Sequence, residues 1–509
     1  LIEIVFKDGA SIIPDEELSA QEGFLTKEKP MSRGEQNFHV SEGNMQHANP
    51  KSHTPSVESK RAPVGQPLMH RSAELQVTGE AAYTNDIAVP SNTLHAVMVT
   101  STKAHAKLLS VDTSEAEKCP GYHSYINKNH IPKGGHNMMG AIVKDEELFA
   151  DDTVRYFGMM IGVVLADTHE QAVYAARKVK VEYEELPAAV SIDEAIAAES
   201  FFSQAFGPER DAFVEDGDVK KGEAESDIIV NGIGRCGPQE HFYLETNCSI
   251  AIPMEHGQME IFASTQNVTK TQAECAAVCG MPMSKVVCRC KRMGGGFGGK
   301  EERSIFITAA AAVACQNTGR AVSILIERDV DMSISGQRHS FRFDYKAGMD
   351  KKTGKLKFMD TRLYCNAGWS LDLSYSVMYR ALLHADNCYK WPHMRVHGTV
   401  CKTNQPSHTA FRGFGGPQGM MVAEFILEHL SKESGWDLDE LRANNWYNDG
   451  ELLHYGQRLE GGEFHIPRIW NSIHTTADIM QRKEAVSKFN NENKWKKRGI
   501  SVLPTKFGI

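Results

Sequence analysis

The sequence lacks any apolar run long enough to cross a bilayer, and its cysteines follow no regular framework. Its longest apolar stretches, at 159–166 and 307–315, fall short of the roughly 18 residues that a membrane-spanning helix requires. The eleven cysteines form no CxxC pair and are odd in number. We therefore expect a protein without membrane helices whose thiols stay free in a reducing compartment.

Four further classes of protein are disfavoured by what is missing. Basic residues are not in excess, since 56 Lys and Arg face 65 Asp and Glu, and the formal net charge of −9 argues against a nucleic-acid binder. Repeat proteins and coiled coils are disfavoured because the sequence contains no repeat of 20–50 residues and no sustained heptad pattern. His241 and Glu245 are four residues apart, but no HExxH or third ligand accompanies them, so a zinc hydrolase has no support.

The composition along the chain predicts two folded regions after a polar stretch. Residues 24–66 are rich in Ser, Pro, Asn and His, which is typical of a linker. Apolar patterning begins near Pro67, and we divide the remainder into a small α/β domain at 67–200 and a larger mixed domain at 201–509. The chain starts without Met and stops among apolar residues, so we expect a piece of a longer polypeptide.

Hydrophobic periodicity predicts several elements in these regions. An apolar strand at 159–166, a helix opened by the capping box of Thr168 and Gln171, and an alternating strand VKVEYEE follow one another. The region 257–328 predicts strand, helix, strand, glycine run, helix and strand, and 341–364 predicts a hairpin that turns at 350–354. Antiparallel and helical parts together indicate an α+β fold.

The glycine run KRMGGGFGGKEERS, at 291–304, leaves several interpretations open. It satisfies GxGxxG, with Glu327 at a distance that suits a ribose ligand, and it matches a phosphate loop until Glu301 replaces the expected Ser or Thr. A tight turn without any ligand is the structural alternative. Bare backbone before a helix nevertheless favours an approach to something polar or anionic.

Five motifs carry a family resemblance that chooses among these interpretations. QEHFYLETN (239–247), STQN (264–267), KRMGGGFGGKE (291–301), RALLHADNCY (380–389) and KTNQPSHTAFRGFGGPQG (402–419) appear in this order. The chain from about Pro67 onward thus closely resembles the molybdopterin region of the xanthine dehydrogenase and aldehyde oxidase family, the molybdenum hydroxylases. The resemblance implies a hammerhead-like α/β domain followed by a molybdopterin-binding domain, with residues 1–23 as the tail of a flavin domain.

The resemblance also implies which residues serve the molybdenum cofactor. Gln266 would donate from its amide to a molybdenum ligand, where a neutral donor suits an anionic group. Phe297 and Gly298 would bring backbone close to the metal and the pterin. Arg412 would bind the pterin with its planar guanidinium. Gln266, Phe297 and Arg412 are expected in the second shell around the metal.

Further residues would contact a purine substrate by the same resemblance. Phe414 offers an aromatic face, and Glu301 and Arg380 would approach opposite edges of the ring, with Arg380 stabilising developing negative charge. Asn267 and Lys270 would line the entrance. Aldehyde oxidases typically carry apolar or aromatic residues at the positions of Glu301 and Arg380, so both charges favour hypoxanthine and xanthine over aldehydes.

The sequence departs from the family in ways that affect these expectations. Pro238 replaces a usual glycine, and Tyr379 replaces a residue that is acidic in many xanthine enzymes, so Arg380 is expected to lack that neighbour. The general-base glutamate of the family lies in a later GEPP segment that these residues do not contain. We therefore expect the isolated chain to be inactive; the alternatives are an aldehyde oxidase and a non-catalytic cofactor-binding module.

For the full-length protein the resemblance implies [2Fe-2S] clusters, FAD, and NAD or O₂ as electron acceptor. It also implies a homodimer in the cytoplasm, with the peroxisome as the alternative location. No nucleic acid and no membrane is expected as a partner.

Overall fold

A computed structural model describes residues 69–203, 211–460 and 464–508. The predicted flavin-domain tail at 1–23 and the predicted linker at 24–66 lie outside these residues. Contacts divide the described residues into two compact units, one within 82–464 and 504–508, the other formed by 69–81 and 465–503. Every described strand belongs to the first unit. The strands are β1 (Leu94–Thr100), β2 (Ala106–Asp112), β3 (Tyr122–Asn127), β4 (Met138–Met139), β5 (Glu146–Glu147), β6 (Thr153–Val154), β7 (Met160–Ala166), β8 (Lys180–Glu185), β9 (Ala212–Asp216), β10 (Ile228–Cys236), β11 (Cys248–Met254), β12 (Gln258–Ala263), β13 (Val286–Arg289), β14 (Val322–Leu325), β15 (Phe341–Met349), β16 (Leu356–Gly368) and β17 (His393–Lys402).

The helices complete a mixed α+β architecture, which confirms the predicted fold class. They are α1 (Ala73–Thr78), α2 (His169–Ala176), α3 (Ile192–Ala197), α4 (Val219–Ala224), α5 (Val268–Val278), α6 (Arg303–Thr318), α7 (Arg328–Ile334), α8 (Ser374–Leu382), α9 (Gly416–Ser434), α10 (Leu438–Asn444), α11 (Ile466–Thr476) and α12 (Ile479–Glu492). Helices α1, α11 and α12 lie in the second unit. Across the described parts of the chain, no helix is long and apolar enough to span a membrane.

The largest sheet has seven strands in the order β13-β12-β11-β14-β1-β7-β3. Its strands come from both sides of residue 200, so it crosses the boundary that the sequence predicted between two domains; the boundary itself stays a prediction. A five-stranded sheet, β10-β15-β16-β17-β9, lies entirely beyond residue 200. A three-stranded sheet, β6-β2-β8, and the pair β4-β5 complete the described strands.

Helix α6 forms the centre of the main core. It is buried on all sides from Arg303 to Cys315 and contacts β11, β14 and α5. Its run of alanines lets the neighbouring elements approach closely, and a helix that is apolar all round is stable only inside a core. This helix follows directly after the glycine run, so the core fixes where that run ends.

Most predicted elements occur where the sequence placed them. Strand β7 is entirely buried, helix α2 begins at the Thr168 and Gln171 capping box, and β15 and β16 form the predicted antiparallel hairpin. Strands β7 and β8, which the periodicity joined through α2, nevertheless belong to different sheets. All eleven cysteines are free thiols, as expected.

Candidate functional site

Two glycine-rich segments meet at one side of the larger unit. The first, 291–301, connects β13 to α6, and the second, 410–416, connects β17 to α9. The backbone N–H of Arg412 donates to the carbonyl of Phe297 at 2.9 Å. A Cβ at Gly298 would lie only 2.5 Å from the carbonyl oxygen of Ala410. The two segments therefore touch through bare backbone.

Both segments hold unusual backbone conformations. Gly298 has φ +104°, and the phenylalanines Phe297 and Phe414 have φ of 55° and 50°. Residues other than glycine rarely adopt this left-handed backbone conformation. Those that do cluster at functional sites, where the surrounding structure holds them. Here each phenylalanine is flanked by glycines that accommodate the turn.

Replacing Gly298 by alanine is expected to destabilise the 509-residue chain by about 2–4 kcal/mol, because the new methyl group adds a clash to the strained φ. Chemical denaturation would measure the loss. Gly319→Ala is the matched control, since Gly319 has φ +64° but a Cβ there would meet nothing within 4 Å. That control should cost only about 1 kcal/mol; equal costs for both variants would contradict a tight contact at Gly298.

Gln266 lies between β12 and α5 and points its amide at the first glycine segment. Its Oε1 accepts hydrogen bonds from the backbone N–H groups of Gly298 at 2.9 Å and Lys300 at 3.3 Å. Because both neighbours are donors, the oxygen must face them, which assigns the amide orientation and leaves Nε2 as a donor for other groups. The side chain is exposed, so this donor is available to a ligand.

A cleft of about 400 Å³ collects six of the residues that the sequence singled out. Ala410, Phe411 and Gly413 complete its lining, and the six are Gln266, Phe297, Gly298, Glu301, Arg412 and Phe414. The guanidinium of Arg412 is exposed and has no hydrogen-bond or ion-pair partner within the described ranges. The cleft thus combines two uncommitted donors, aromatic surface and one carboxylate.

Glu301 is the acidic group of this cleft. Its side chain is half-buried, and no hydrogen bond to its carboxylate occurs among the residues with described positions. Burial raises the pKa of Glu301, and the neighbouring Glu302 carboxylate raises it further. A carboxyl group in this setting is well suited to exchange a hydrogen bond with a polar ligand.

We expect Glu301→Gln to stabilise the chain at neutral pH. A carboxyl group whose pKa is raised by folding costs stability once it ionises, so the cost is present above the folded pKa and disappears below the unfolded value of about 4.3. Unfolding free energies of variant and wild type should therefore converge as the pH falls to about 4. Glu433→Gln, at an exposed position, is the control and should show no such dependence.

Arg380 lies next to the cleft rather than in its lining. The guanidinium carbon lies 6.0 Å from the ring centroid of Phe414, and one of its nitrogens donates to the carbonyl of Gly508 at 3.0 Å. Helix α8 carries Arg380 in its last turn. The structure therefore places Arg380 and Glu301 on elements that share the neighbourhood of Phe414.

Asn267 and Lys270 use their side chains inside the protein. The Asn267 carboxamide oxygen caps helix α5 by accepting from the Lys270 backbone N–H at 3.2 Å. The Lys270 ammonium pairs with Glu302 at 2.8 Å and donates to the carbonyl of Ala141 at 2.5 Å. Neither residue lines the cleft, and their role at its entrance stays a prediction.

Lys300 rules out the phosphate-loop interpretation. Its side chain is fully buried and its ammonium donates to the carbonyl of Glu245 at 2.6 Å and to Ser264 Oγ at 2.7 Å. The same ammonium lies 4.5 Å from the ring centroid of Tyr243. A lysine committed in this way cannot reach a bound phosphate. The sequence analysis did not predict this internal role of Lys300. The signal that could have indicated it is Glu245 in the QEHFYLETN motif, which is the partner of the Lys300 ammonium.

The dinucleotide interpretation also lacks its geometry. In that motif the acidic residue follows the strand next to the glycine-bearing strand. Here β14, which precedes Glu327, is separated from β13 by β12 and β11. Glu327 instead contacts His169 at 2.8 Å.

His241 supports the cleft from behind. Its Nε2 lies 2.7 Å from the carbonyl oxygen of Ala410, and its ring stacks on Phe411 at 4.5 Å. Burial lowers the pKa of His241 to about 4, so the neutral ring donates to this carbonyl at neutral pH. Glu245 accepts from the Gly294 N–H at 2.7 Å. His241 therefore holds the second glycine segment and Glu245 the first.

Comparisons with known proteins identify the class to which this fold and site belong. Residues 205–446 match the model of the molybdopterin cofactor-binding domain, and residues 78–187 match the a/b hammerhead domain of aldehyde oxidase and xanthine dehydrogenase. Among solved structures, the aldehyde oxidoreductase from Desulfovibrio gigas superposes on this chain with a TM-score of 0.75 and a sequence identity of 28%. The superposition covers 84% of this chain and 47% of the aldehyde oxidoreductase chain. This is the architecture of a molybdopterin-binding protein.

Relatives in sequence narrow the class to one family. Xanthine dehydrogenase/oxidase of Mus musculus is 48% identical over 456 residues, which are 89% of this chain and 33% of that protein. Xanthine dehydrogenase of Dictyostelium discoideum is 43% identical over 498 residues, 98% of this chain and 34% of that protein. The chain belongs to the xanthine dehydrogenase and aldehyde oxidase family of molybdenum hydroxylases, and it spans about a third of the length of these relatives.

Proposed function

We propose that this chain is part of a longer enzyme that hydroxylates purines oxidatively, converting hypoxanthine to xanthine and xanthine to urate. The observation that carries the proposal is the Glu301 carboxylate, which has no partner among the described residues and lies in the same cleft as the Phe414 ring, with Arg380 beside that ring. A flat heterocycle with ring nitrogens and carbonyl oxygens matches an aromatic face between an acid and a guanidinium. The xanthine dehydrogenases among the relatives agree with this substrate class.

The residues of the cleft fit a molybdopterin. The amide donor of Gln266, without a partner in the described parts of the chain, and the guanidinium of Arg412 both suit anionic oxygen and phosphate groups. Gly298 lines the same cleft, and its missing side chain lets the two glycine segments that carry these residues pack together, since a Cβ there would lie 2.5 Å from the Ala410 carbonyl oxygen. When bound, the cofactor would supply the redox chemistry of the hydroxylation. Gln266, Phe297, Gly298 and Arg412 would hold it.

Substrate binding falls to three residues in this proposal. Phe414 would stack on the purine, and Glu301 would hydrogen-bond to ring nitrogens, helped by its raised pKa, which favours sharing a proton. Arg380 would stabilise negative charge that develops on a purine oxygen. A simple apolar aldehyde would leave these polar groups unpaired, so such a site would reject it by about 10⁴-fold relative to a purine.

Steady-state kinetics of the full-length protein test the proposal. Xanthine should be a much better substrate than an aromatic aldehyde, and elemental analysis should find molybdenum. The reverse preference would favour an aldehyde oxidase, as the similarity to an aldehyde oxidoreductase structure would allow. Protein without molybdenum would favour a non-catalytic binding module. The isolated 509-residue chain should not oxidise xanthine even with an added acceptor.

Other properties of the full-length protein form part of the same proposal. It would pass electrons through [2Fe-2S] clusters and FAD to NAD or O₂, act as a homodimer and reside in the cytoplasm. Size-exclusion chromatography and visible absorption spectra of the purified protein would test the dimer and the additional cofactors.

A further inference from the structure

Arg380 is held in place by a distant part of the chain, residues 504–508. Its guanidinium carbon lies 5.2 Å from the ring centroid of Phe507, and its Nη1 donates to the carbonyl of Gly508 at 3.0 Å. One face of the guanidinium is thus covered by a ring, and one of its five donors is committed. The guanidinium carbon also lies 6.0 Å from the ring centroid of the cleft residue Phe414.

The 504–508 segment is itself firmly anchored. The Lys506 ammonium contacts both carboxylate oxygens of Asp386, at 2.6 and 2.8 Å. The Asn387 side chain donates to the carbonyl of Pro504 at 2.9 Å and accepts from the Lys506 N–H at 3.3 Å. Asp386 and Asn387 are fully buried, so these contacts replace solvent and fix the segment against the loop after α8.

His384 ties the segment to the arginine a second time. Its Nε2 lies 3.1 Å from the backbone nitrogen of Gly508, and its Nδ1 lies 2.7 Å from the carbonyl oxygen of Arg380. A backbone N–H can only donate, so Nε2 accepts and the proton resides on Nδ1. The neutral ring therefore bridges the helix turn of Arg380 and the carbonyl-bearing residue Gly508. Its ring also packs 5.1 Å from that of Phe507.

These contacts orient the arginine without cancelling its charge. No carboxylate pairs with Arg380 among the described residues, and the partner at Gly508 is a neutral carbonyl. An ion pair would weaken the field of the guanidinium at a bound substrate, whereas a carbonyl and a ring face leave its full charge in place. The sequence predicted that Arg380 lacks an acidic neighbour, because Tyr379 occupies that position. The contacts with Phe507 and Gly508 hold Arg380 instead.

We infer that the 504–508 segment, through Phe507 and Gly508, positions Arg380 for the substrate and so determines purine specificity. Phe507 is a positioning residue, since it contacts the arginine and does not line the cleft. The inference rests on the proposed function for its kinetic consequence, but the positioning itself is independent of that function.

The first experiment measures positioning without any activity. Phenylglyoxal modifies accessible arginines, and peptide mass spectrometry reports the modification rate of Arg380 in the full-length protein. Phe507→Leu should accelerate the modification several-fold, whereas Phe507→Tyr, which keeps the ring, should not. Phe213→Leu is the matched control, because Phe213 and Phe507 are 51% and 47% exposed. Phe507→Met replaces the leucine variant if that variant does not fold.

The second experiment uses the full-length protein with xanthine. Phe507→Leu should lower kcat by about 10- to 100-fold with a smaller change in KM, because a misplaced arginine loses its effect mainly in the transition state. Phe507→Tyr should restore most of kcat. Unchanged arginine reactivity, or changed reactivity with unchanged kcat, would overturn the inference. Absence of purine turnover in the wild type would instead refute the proposed function, while the modification rates would still decide the positioning.

Discussion

Arg380→Met in the full-length protein is expected to lower kcat/KM for xanthine by about 10²- to 10³-fold, with most of the loss in kcat. The guanidinium lies beside Phe414 and pairs with no carboxylate in the described part of the chain, so its charge is available to an oxygen that becomes negative during the reaction. Methionine keeps the apolar stem and removes the charge. Steady-state kinetics on xanthine measure the effect.

The control for this variant is Arg395→Met on strand β17. Arg395 pairs with Asp360 at 2.9 Å on the five-stranded sheet and lines no part of the cleft. Its loss should leave kcat/KM within about twofold of wild type, as expected for a partly exposed ion pair away from the site. An equal effect of the two substitutions would show that charge loss in general, rather than the position of Arg380, is responsible.

Glu146→Leu is expected to destabilise the 509-residue chain by about 3–5 kcal/mol, because it removes the bidentate partner of the buried Arg303 guanidinium and leaves it with the more distant carboxylate of Asp372, at 4.0 Å. The two side chains form a bidentate pair at 2.6 and 2.8 Å, and Tyr156 and Ser370 donate to the same carboxylate at 2.6 and 2.5 Å. Chemical denaturation measures the loss.

The double variant Glu146→Leu/Arg303→Met tests the physical reason. With both charges replaced by apolar side chains, part of the lost stability should return, since neither ion must then be desolvated. The recovery stays incomplete because the buried Asp372 loses its ion-pair partner and the Tyr156 and Ser370 hydroxyls lose an acceptor. A double variant as unstable as the single one would show that the pair contributes more than mutual neutralisation.

The pH dependence of the wild type provides a further check on the same pair. Burial opposes ionisation of Glu146, but the charge and hydrogen bonds of Arg303 and the two hydroxyl donors outweigh it and hold the pKa of Glu146 below its usual range. A depressed folded pKa contributes stability above the unfolded value of about 4.3, and this stability is lost as the pH falls through the folded pKa. The double variant should lack this component of acid unfolding.

Local patterns predicted the elements of this protein well. The buried strand β7, the capped helix α2 and the hairpin of β15 and β16 depend on periodicity and turn chemistry within a few residues. The pairing of strands could not be predicted in this way. Strands β7 and β8 are neighbours in sequence but join different sheets, because each finds its partners among strands distant in the chain.

The candidate site was only partly accessible to the same reasoning. The pattern around Gly298 left phosphate, dinucleotide and ligand-free interpretations open, and only the five motifs together indicated the family. Nothing in those motifs predicted that Lys300 would be buried on Glu245, or that Phe507 would cover Arg380. Such contacts join residues 55 and 127 positions apart in sequence, and no local pattern encodes them.

The sequence by itself determined the fold class, the free thiols and the position of the glycine segments, because these depend on composition, periodicity and residue type. Only the tertiary structure decided which side chains face the cleft and which serve as internal supports. The reason is that a lysine, a glutamate or an arginine has the same identity in either role. Burial and the partners supplied by distant segments make the distinction. Glu301 lines the cleft, whereas Lys300, one residue earlier, is fully buried.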